Sequence, residues 1–98
     1  MRSVNIGICG LGTVGAGVFN VLGRNSDKIN ARANCNITVT QVGASRDNAG
    51  CDTSGVEILR DIFDVTRHPN VDIVVELIGG TTVAFDLVMS ALENGKHV

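Results

Sequence analysis

The chain has 98 residues, of which 44% are hydrophobic and 18% charged, and this composition indicates one soluble globular domain at most. The formal net charge is −2 and the 8 Lys and Arg residues form no basic stripe, which excludes a conventional nucleic-acid-binding surface. No apolar run approaches the roughly 20 residues of a membrane span, and glycines interrupt the first apolar stretch, so neither a membrane anchor nor a signal peptide is expected. We therefore expect a cytoplasmic protein.

The cysteines and histidines offer no obvious chemistry. Cys9, Cys35 and Cys51 are widely spaced, which matches neither a CxxC metal pair nor a small disulfide framework. We predict three reduced thiols and no metal site, with Cys9 as a buried structural thiol because no base lies near it in the sequence. His68 is expected to be exposed in a turn, and neither it nor His97 is assigned a catalytic role.

The first half of the chain predicts a strand, a helix, a loop and a second strand. Branched apolar residues over 4–9 predict a buried strand, and large apolar residues at helical spacing predict a helix over 13–23. Residues 23–36 are polar and are predicted to form a loop. Residues 37–44 alternate and are β-branched, which predicts a second strand followed by a polar loop.

The second half predicts a helix, a strong strand, another helix and the start of a strand. Residues 56–66 place four large apolar side chains on one helical face, and Pro69 ends that helix. The run VDIVVELI over 71–78 is the strongest strand signal in the chain, and two glycines close it. The next helix runs to about residue 93 with Thr81 or Thr82 as its cap, and residues 96–98 begin a further strand.

The predicted order is therefore β-α-β-α-β-α-β. Strands that alternate with helices imply a parallel sheet with right-handed crossovers. We predict the α/β class and a Rossmann-like, doubly wound parallel sheet that is incomplete, because its last strand has only begun at residue 98.

The first strand-to-helix turn carries glycines at the G-x-G-x-x-G spacing. Gly10 would permit the tight turn, Gly12 would let a pyrophosphate approach the backbone, and Gly15 would let the helix pack against the strand. The amides and dipole of the helix N-terminus would face the phosphates. A Walker A loop is excluded because no lysine follows, whereas a methyltransferase glycine loop and a purely structural turn stay open.

The end of the second strand bears on which cofactor is bound. A carboxylate there would accept hydrogen bonds from the adenosine ribose and repel a 2′-phosphate. The sequence has Arg46 instead, a planar cation suited to a phosphate, which favours NADP(H) over NAD(H). The alternative is that Arg46 pairs with Asp47 or is simply solvated.

The end of the third predicted strand is a second candidate for the cofactor site. If this strand pairs with the first, Gly80 and Thr81 would lie beside the nicotinamide half of the cofactor. The alternative is a plain glycine turn with a threonine cap. Glu76 is a charged residue in the middle of an apolar strand, and we expect it to accept structural hydrogen bonds.

Four segments of the chain resemble the homoserine dehydrogenases. They are IGICGLGTVGAGV (6–18), ASRD (44–47), VDIVVELIGG (71–80) and ALENGKHV (91–98), and they occur in order across essentially the whole chain. The resemblance implies an NAD(P)-dependent oxidoreductase that interconverts homoserine and aspartate 4-semialdehyde in threonine and methionine biosynthesis. It implies that Leu11, Gly12, Thr13 and Val14 line the dinucleotide turn, that Arg46 meets the 2′-phosphate, and that Gly80 and Thr81 border the nicotinamide.

The resemblance also implies a domain organisation. Residues 1–98 would be part of an N-terminal dinucleotide-binding domain, and a separate substrate and dimerisation domain would hold the catalytic lysine. No catalytic residue is then expected in this chain, which would be inactive alone, whereas the intact enzyme would be a homo-oligomer. Two alternatives are another two-domain carbonyl reductase and a non-catalytic module that binds a nucleotide or a partner.

Overall fold

The computed structural model describes residues 2–98. The elements are β1 (Ser3–Cys9), α1 (Thr13–Arg24), α2 (Ser26–Ala33), β2 (Asn36–Gly43), β3 (Glu57–Leu59), α3 (Ile62–Arg67), β4 (Ile73–Glu76) and α4 (Thr82–Glu93). Within these residues the four strands form one parallel sheet in the order β3-β2-β1-β4. The predicted α/β class with a parallel, Rossmann-like sheet is confirmed.

The centre of the sheet is the place where the strand order reverses. β1 pairs with β2 on one side and with β4 on the other, so the condition set for placing Gly80 and Thr81 near the glycine turn, that the VDIVVELI strand pairs with the first strand, is met. Such a reversal opens a crevice at the carboxyl ends of the strands. On the outer edge of β4, His97 forms a parallel bridge with Ile73, consistent with the predicted start of a strand at 96–98.

Helices cover both faces of the sheet. Ile8 of β1 packs in a core with Val18 and Leu22 of α1. Cys9, the next residue of β1, points to the opposite face and packs in a second core with Val65 of α3 and Leu87 of α4. Both faces of β1 are therefore buried over 6–9, and that part of the strand carries no polar side chain.

The predicted loop over 23–36 is wrong, because it contains the helix α2. No residue of α2 is buried, so its sequence carries no apolar periodicity to reveal a helix. The helix ends at Asn34, whose left-handed conformation (φ 55°) stops it. The Asn30 side chain accepts a hydrogen bond from the Ile37 backbone amide at 2.8 Å, which ties α2 to β2.

The predicted helix over 56–66 is also wrong in its first half. Glu57–Leu59 is the short edge strand β3, in which Ile58 pairs with Val42 of β2. Helix α3 begins only at Ile62, after Asp61 accepts a hydrogen bond from the Phe63 amide at 3.0 Å. Short apolar runs fit a helix and a strand equally well, and pairing with β2 decided between them.

None of the helices within residues 2–98 combines the length and the apolar character that a bilayer crossing requires.

Candidate functional site

A crevice of about 900 Å³ lies at the carboxyl ends of β1, β2 and β4. Its walls come from the turn after β1, the end of β2, the start of α3 and the loop after β4. This is the switch point of the sheet, where ligands of open α/β folds bind. The volume is in the range of small-molecule and cofactor sites.

The turn between β1 and α1 is packed backbone against backbone. Gly10 has φ +105°, and a Cβ placed on it would lie 2.7 Å from the Leu77 carbonyl oxygen. A Cβ on Gly15 would lie only 1.9 Å from the Gly10 carbonyl oxygen. Around Gly12, in contrast, a Cβ would meet nothing within 4 Å. Gly10 and Gly15 therefore allow the fold itself, whereas the space at Gly12 is open to an incoming group.

The amides of the exposed residues at the start of α1, Gly12, Thr13 and Val14, are available to a ligand, whereas Gly15 is buried. Within residues 2–98, no acceptor is found for the N–H groups of Gly12, Thr13, Val14 and Gly15, and the first helical bond runs from the Ala16 amide to the Gly12 carbonyl at 2.8 Å. Gly12 is the N-cap and offers no side chain to bond them. The first turn also contains no acidic residue. Free amides and an uncompensated helix dipole together make an anion-binding site.

Arg46 lies at the β2 end of the crevice. It is exposed and lines the cavity. Asp47 pairs with Arg60 at 2.6 Å, and Arg60 also donates to the Ala44 carbonyl oxygen at 3.2 Å. The alternative in which Arg46 pairs with Asp47 is thus not what the structure shows, and no ion pair involves Arg46 among the residues described.

Arg60 is a crevice residue that the sequence did not single out. It lines the cavity because β3 pairs with β2 and delivers it beside Ala44. The sequence instead assigned residue 60 to a helix, and in that setting it gave no signal of a site. Recognising the Glu57–Leu59 strand would have been needed to find it.

The predicted site residues do not all reach the cavity wall. Gly10, Leu11, Gly12 and Arg46 line it, and Gly79 and Val83 line it from the other side. Four other predicted site residues are exposed and lie within two residues of a lining residue in the sequence: Thr13, Val14, Gly80 and Thr81. Gly15 is buried behind the turn. Thr81 is the N-cap of α4, but its side chain makes no capping hydrogen bond, so that part of the cap prediction is wrong.

The loop after β4 is held against the glycine turn by its own backbone and by Glu76. The Leu77 amide donates to the Cys9 carbonyl at 2.9 Å, and Glu76 Oε1 accepts from the Ile78 amide at 3.0 Å. Glu76 therefore has the structural hydrogen bond that the sequence predicted. The loop closes the crevice on the β4 side because these bonds set its direction.

Cys9 is a structural thiol. It is fully buried and its Sγ lies 3.7 Å from the Ile62 carbonyl oxygen. Burial, and to a lesser degree the nearby Glu76 charge, raises the pKa of the Cys9 thiol to about 12. The nucleophilic thiolate is therefore not formed near neutral pH.

His68 is not exposed as predicted. Its side chain is 25% exposed, its Nε2 lies 3.0 Å from Glu57 Oε1, and its Nδ1 accepts from the Asn70 amide at 3.0 Å. The histidine is a structural contact between the end of α3 and β3, outside the crevice lining. Within residues 2–98, no group of three or more His, Cys, Asp or Glu side chains is placed to hold a metal ion.

Comparison with known proteins identifies relatives over the entire chain. Residues 10–98 match the family model described as homoserine dehydrogenase, NAD binding domain. The homoserine dehydrogenase of Pseudomonas aeruginosa is 57% identical over 98 residues, and that of Methylobacillus glycogenes is 44% identical over 100 residues. The chain is covered completely in both alignments but spans only 23% and 24% of those relatives.

Solved structures agree. The crystal structure of a homoserine dehydrogenase from Thiobacillus denitrificans superposes with a TM-score of 0.88 at 44% identity, covering 100% of this chain and 23% of that one. The Staphylococcus aureus homoserine dehydrogenase at pH 7.5 gives a TM-score of 0.88 at 30% identity, covering 100% and 25%. The cofactor class that accompanies this family is a nicotinamide dinucleotide. The chain belongs to the family of the NAD-binding domain of homoserine dehydrogenases.

Proposed function

We propose that the chain binds NAD(P)(H) across this crevice, with a preference for NADP(H). The observation that carries the proposal is the unpartnered first turn of α1, whose amides face open space at Gly12. That turn is suited to the pyrophosphate. Gly10, Leu11, Thr13, Val14 and Gly15 complete it.

Arg46 is the proposed determinant of the preference for NADP(H). Its guanidinium stands at the end of β2, where the adenosine ribose of a dinucleotide lies in folds of this type. Asp47, the nearest carboxylate in the sequence, is engaged by Arg60. A 2′-phosphate would therefore meet a cation rather than an ion pair. Gly80 and Thr81 are proposed to adjoin the nicotinamide at the β4 end.

The reaction proposed for the whole protein is the interconversion of L-homoserine and L-aspartate 4-semialdehyde. When bound, the reduced nicotinamide supplies hydride to the aldehyde carbon. A proton must also reach the new alkoxide. The charged residues that line the crevice belong to the β2 and α3 side, namely Arg46, Asp47, Arg60 and Asp61, and none is assigned to this proton. We therefore propose that the 98-residue chain holds the cofactor and does not catalyse the reaction alone.

The remaining features of the whole protein are proposed from its family. Residues 1–98 would be part of an N-terminal cofactor domain, with substrate binding and homo-oligomer formation residing in sequence that the relatives have in addition. The protein would act in the cytoplasm, in threonine and methionine biosynthesis. The alternatives of another carbonyl reductase and of a non-catalytic module are not favoured by the matches.

A fluorescence titration with NADPH and NADH tests the proposal. The wild-type chain is expected to bind NADPH more tightly than NADH. Arg46→Ala should weaken NADPH about tenfold or more, since a hydrogen bond to a charged group contributes about 1.5–3 kcal/mol, and should leave NADH unchanged. Arg24→Ala, which removes a cation from the far end of α1, is the matched control.

Three results would count against the proposal. Equal loss of NADPH affinity in Arg46→Ala and Arg24→Ala would show a general charge effect rather than a specific contact. A folded wild-type chain that binds neither cofactor would remove the cofactor site from this chain. Homoserine oxidation by the chain alone would contradict the assignment of catalysis to other sequence.

A further inference from the structure

Asn48, in the loop between β2 and β3, connects two parts of the proposed cofactor site. Its Nδ2 donates to the Leu11 carbonyl oxygen at 3.0 Å, and its Oδ1 accepts from the Gly50 amide at 2.8 Å. The side chain is half-buried between the loop and the glycine turn. Both ends of the carboxamide are therefore hydrogen-bonded, and the bond to Leu11 joins two residues that are 37 positions apart in the sequence.

The bond to Leu11 acts on the amide that a pyrophosphate would meet. The Leu11 carbonyl and the Gly12 N–H belong to one planar trans peptide unit, in which they point in opposite directions. A donor held on the carbonyl oxygen therefore sets the direction of the Gly12 N–H. That N–H has no acceptor within residues 2–98, so Asn48 holds the orientation that no internal bond of the turn provides.

The other end of Asn48 shapes the loop that carries Arg46. The Gly50 amide bonds to the Asn48 side chain, and the Cys51 amide bonds to the Asn48 carbonyl oxygen at 3.0 Å. These two bonds fold the chain into a tight turn two residues after Arg46. The Asn48 side chain, two residues after Arg46, therefore ties the loop that carries Arg46 to the glycine turn through its bond to Leu11.

We propose that Asn48 is a positioning residue that couples the pyrophosphate turn to the 2′-phosphate arginine, an inference that rests on the proposed function. Asn48 itself contacts no phosphate in this scheme. It fixes the glycine turn relative to Arg46, so that the amides of the turn and the guanidinium can contact one bound cofactor at the same time. Its loss is expected to affect cofactor discrimination, which a residue needed only for folding would not change.

The chain offers a matched control in Asn20 of α1. Its Nδ2 donates to the Gly50 carbonyl oxygen at 3.0 Å, so it fastens the same loop from the other side. Asn20 is bonded neither to Leu11 nor to Gly12. Asn20→Ala thus removes a loop contact of the same chemical kind and leaves the glycine turn alone.

The first experiment needs no cofactor. The amide resonance of Gly12 is recorded by NMR in the wild type, Asn48→Ala, Asn48→Asp and Asn20→Ala. Asn48→Asp retains an acceptor for the Gly50 amide and loses the donor to Leu11, so it separates the two functions. We expect the Gly12 resonance to shift in both Asn48 variants and to stay in place in Asn20→Ala. A Gly12 resonance that is unchanged in the Asn48 variants, or equally shifted in Asn20→Ala, would overturn the proposal.

The second experiment measures the dissociation constants of NADPH and NADH for the folded variants. Asn48→Ala should weaken NADH about three- to tenfold, the effect of one hydrogen bond, and NADPH by a further factor. In the Asn48→Ala background, the loss of NADPH affinity caused by Arg46→Ala should be at least threefold smaller than in the wild type. Asn20→Ala should stay within twofold for both cofactors.

The outcomes separate this inference from the proposed function. Additive effects of Asn48→Ala and Arg46→Ala, in a wild-type chain that binds NADPH, overturn the coupling and leave the cofactor site standing. A folded wild-type chain without affinity for either cofactor overturns the proposed function and the coupling together. If Asn48→Ala does not fold, Asn48→Asp takes its place. An unchanged Gly12 resonance in Asn48→Asp would then overturn the proposal.

Discussion

The turn between β1 and α1 and the turn between β4 and α4 lie side by side at the same edge of the sheet, and both are rich in glycine. In the first, a Cβ on Gly10 or Gly15 would meet backbone atoms at 2.7 and 1.9 Å. In the second, Gly79 and Gly80 have φ +79° and +74°, but a Cβ on either would meet nothing within 4 Å. The first turn needs glycine for space, and at Gly10 (φ +105°) for backbone conformation too, whereas the second needs it for conformation alone.

This difference separates the two turns in energy as well. A clash with backbone cannot be relieved by a side-chain rotation, whereas a left-handed residue costs only its own conformational strain. The first turn is therefore the more demanding one, and within it Gly12 is the exception, because its surroundings are empty. The predictions below test these assignments.

Gly15→Ala should have the largest effect on stability. In an exposed helix position this change normally stabilises by about 0.5–1 kcal/mol, and that is the result expected for Gly17→Ala, where a Cβ has open space. At Gly15 the new methyl would collide with the Gly10 carbonyl oxygen, and we expect a loss of about 3 kcal/mol in the free energy of unfolding. Urea unfolding monitored by circular dichroism measures both variants. Similar values for the two would show that the first turn is not tightly packed.

Gly80→Ala should cost about 1–2 kcal/mol, the strain of placing a side chain at positive φ. Gly80→Asn should cost less, since asparagine tolerates the left-handed region. Gly55→Ala is the control, because that glycine has open space and no positive φ. If Gly80→Ala were as damaging as Gly15→Ala, the second turn would be limited by space and not by conformation.

Cys9, at the end of β1 next to the first turn, should make the fold sensitive to alkaline pH. Its folded pKa of about 12 lies above the ordinary value of 9.0, so the folded chain keeps the proton that the unfolded chain releases. Stability from this group is complete below pH 9 and is lost as the pH rises towards 12, by up to about 1.4 kcal/mol per pH unit. Unfolding in urea at several pH values measures the slope. Cys9→Ala should lack this component, and an equal slope in that variant would assign the effect to other groups.

Gly12→Ala should change stability least, by less than about 0.5 kcal/mol, because a Cβ there meets no protein atom. The same methyl would stand where the pyrophosphate is proposed to approach, so NADPH affinity should fall about tenfold or more. Thermal unfolding and a fluorescence titration of one preparation measure both quantities. Undiminished binding by a stable Gly12→Ala variant would mean that the cofactor phosphates do not approach this residue.

The reach of the sequence can be judged from particular residues. The apolar run VDIVVELI and the glycine spacing predicted β4 and the first turn, because each signal is local in the sequence. Helix α2 was missed because none of its residues is buried, so burial left no pattern in its sequence. Arg60 was missed as a crevice residue because Ile58 and Leu59 fit a helix as well as the edge strand that places it.

The α/β class, the G-x-G-x-x-G spacing of Gly10, Gly12 and Gly15, and the family could all be predicted from the sequence. These properties depend on residue type and short separations along the chain, which are visible in one dimension. Three features required the folded structure. The packing around each glycine shows which of them needs space. Asp47 pairs with Arg60, which leaves Arg46 without an ion-pair partner within residues 2–98, and Asn48 donates to Leu11. These contacts join residues that are far apart in the sequence, so they form only when the sheet brings β1, β2 and β4 together.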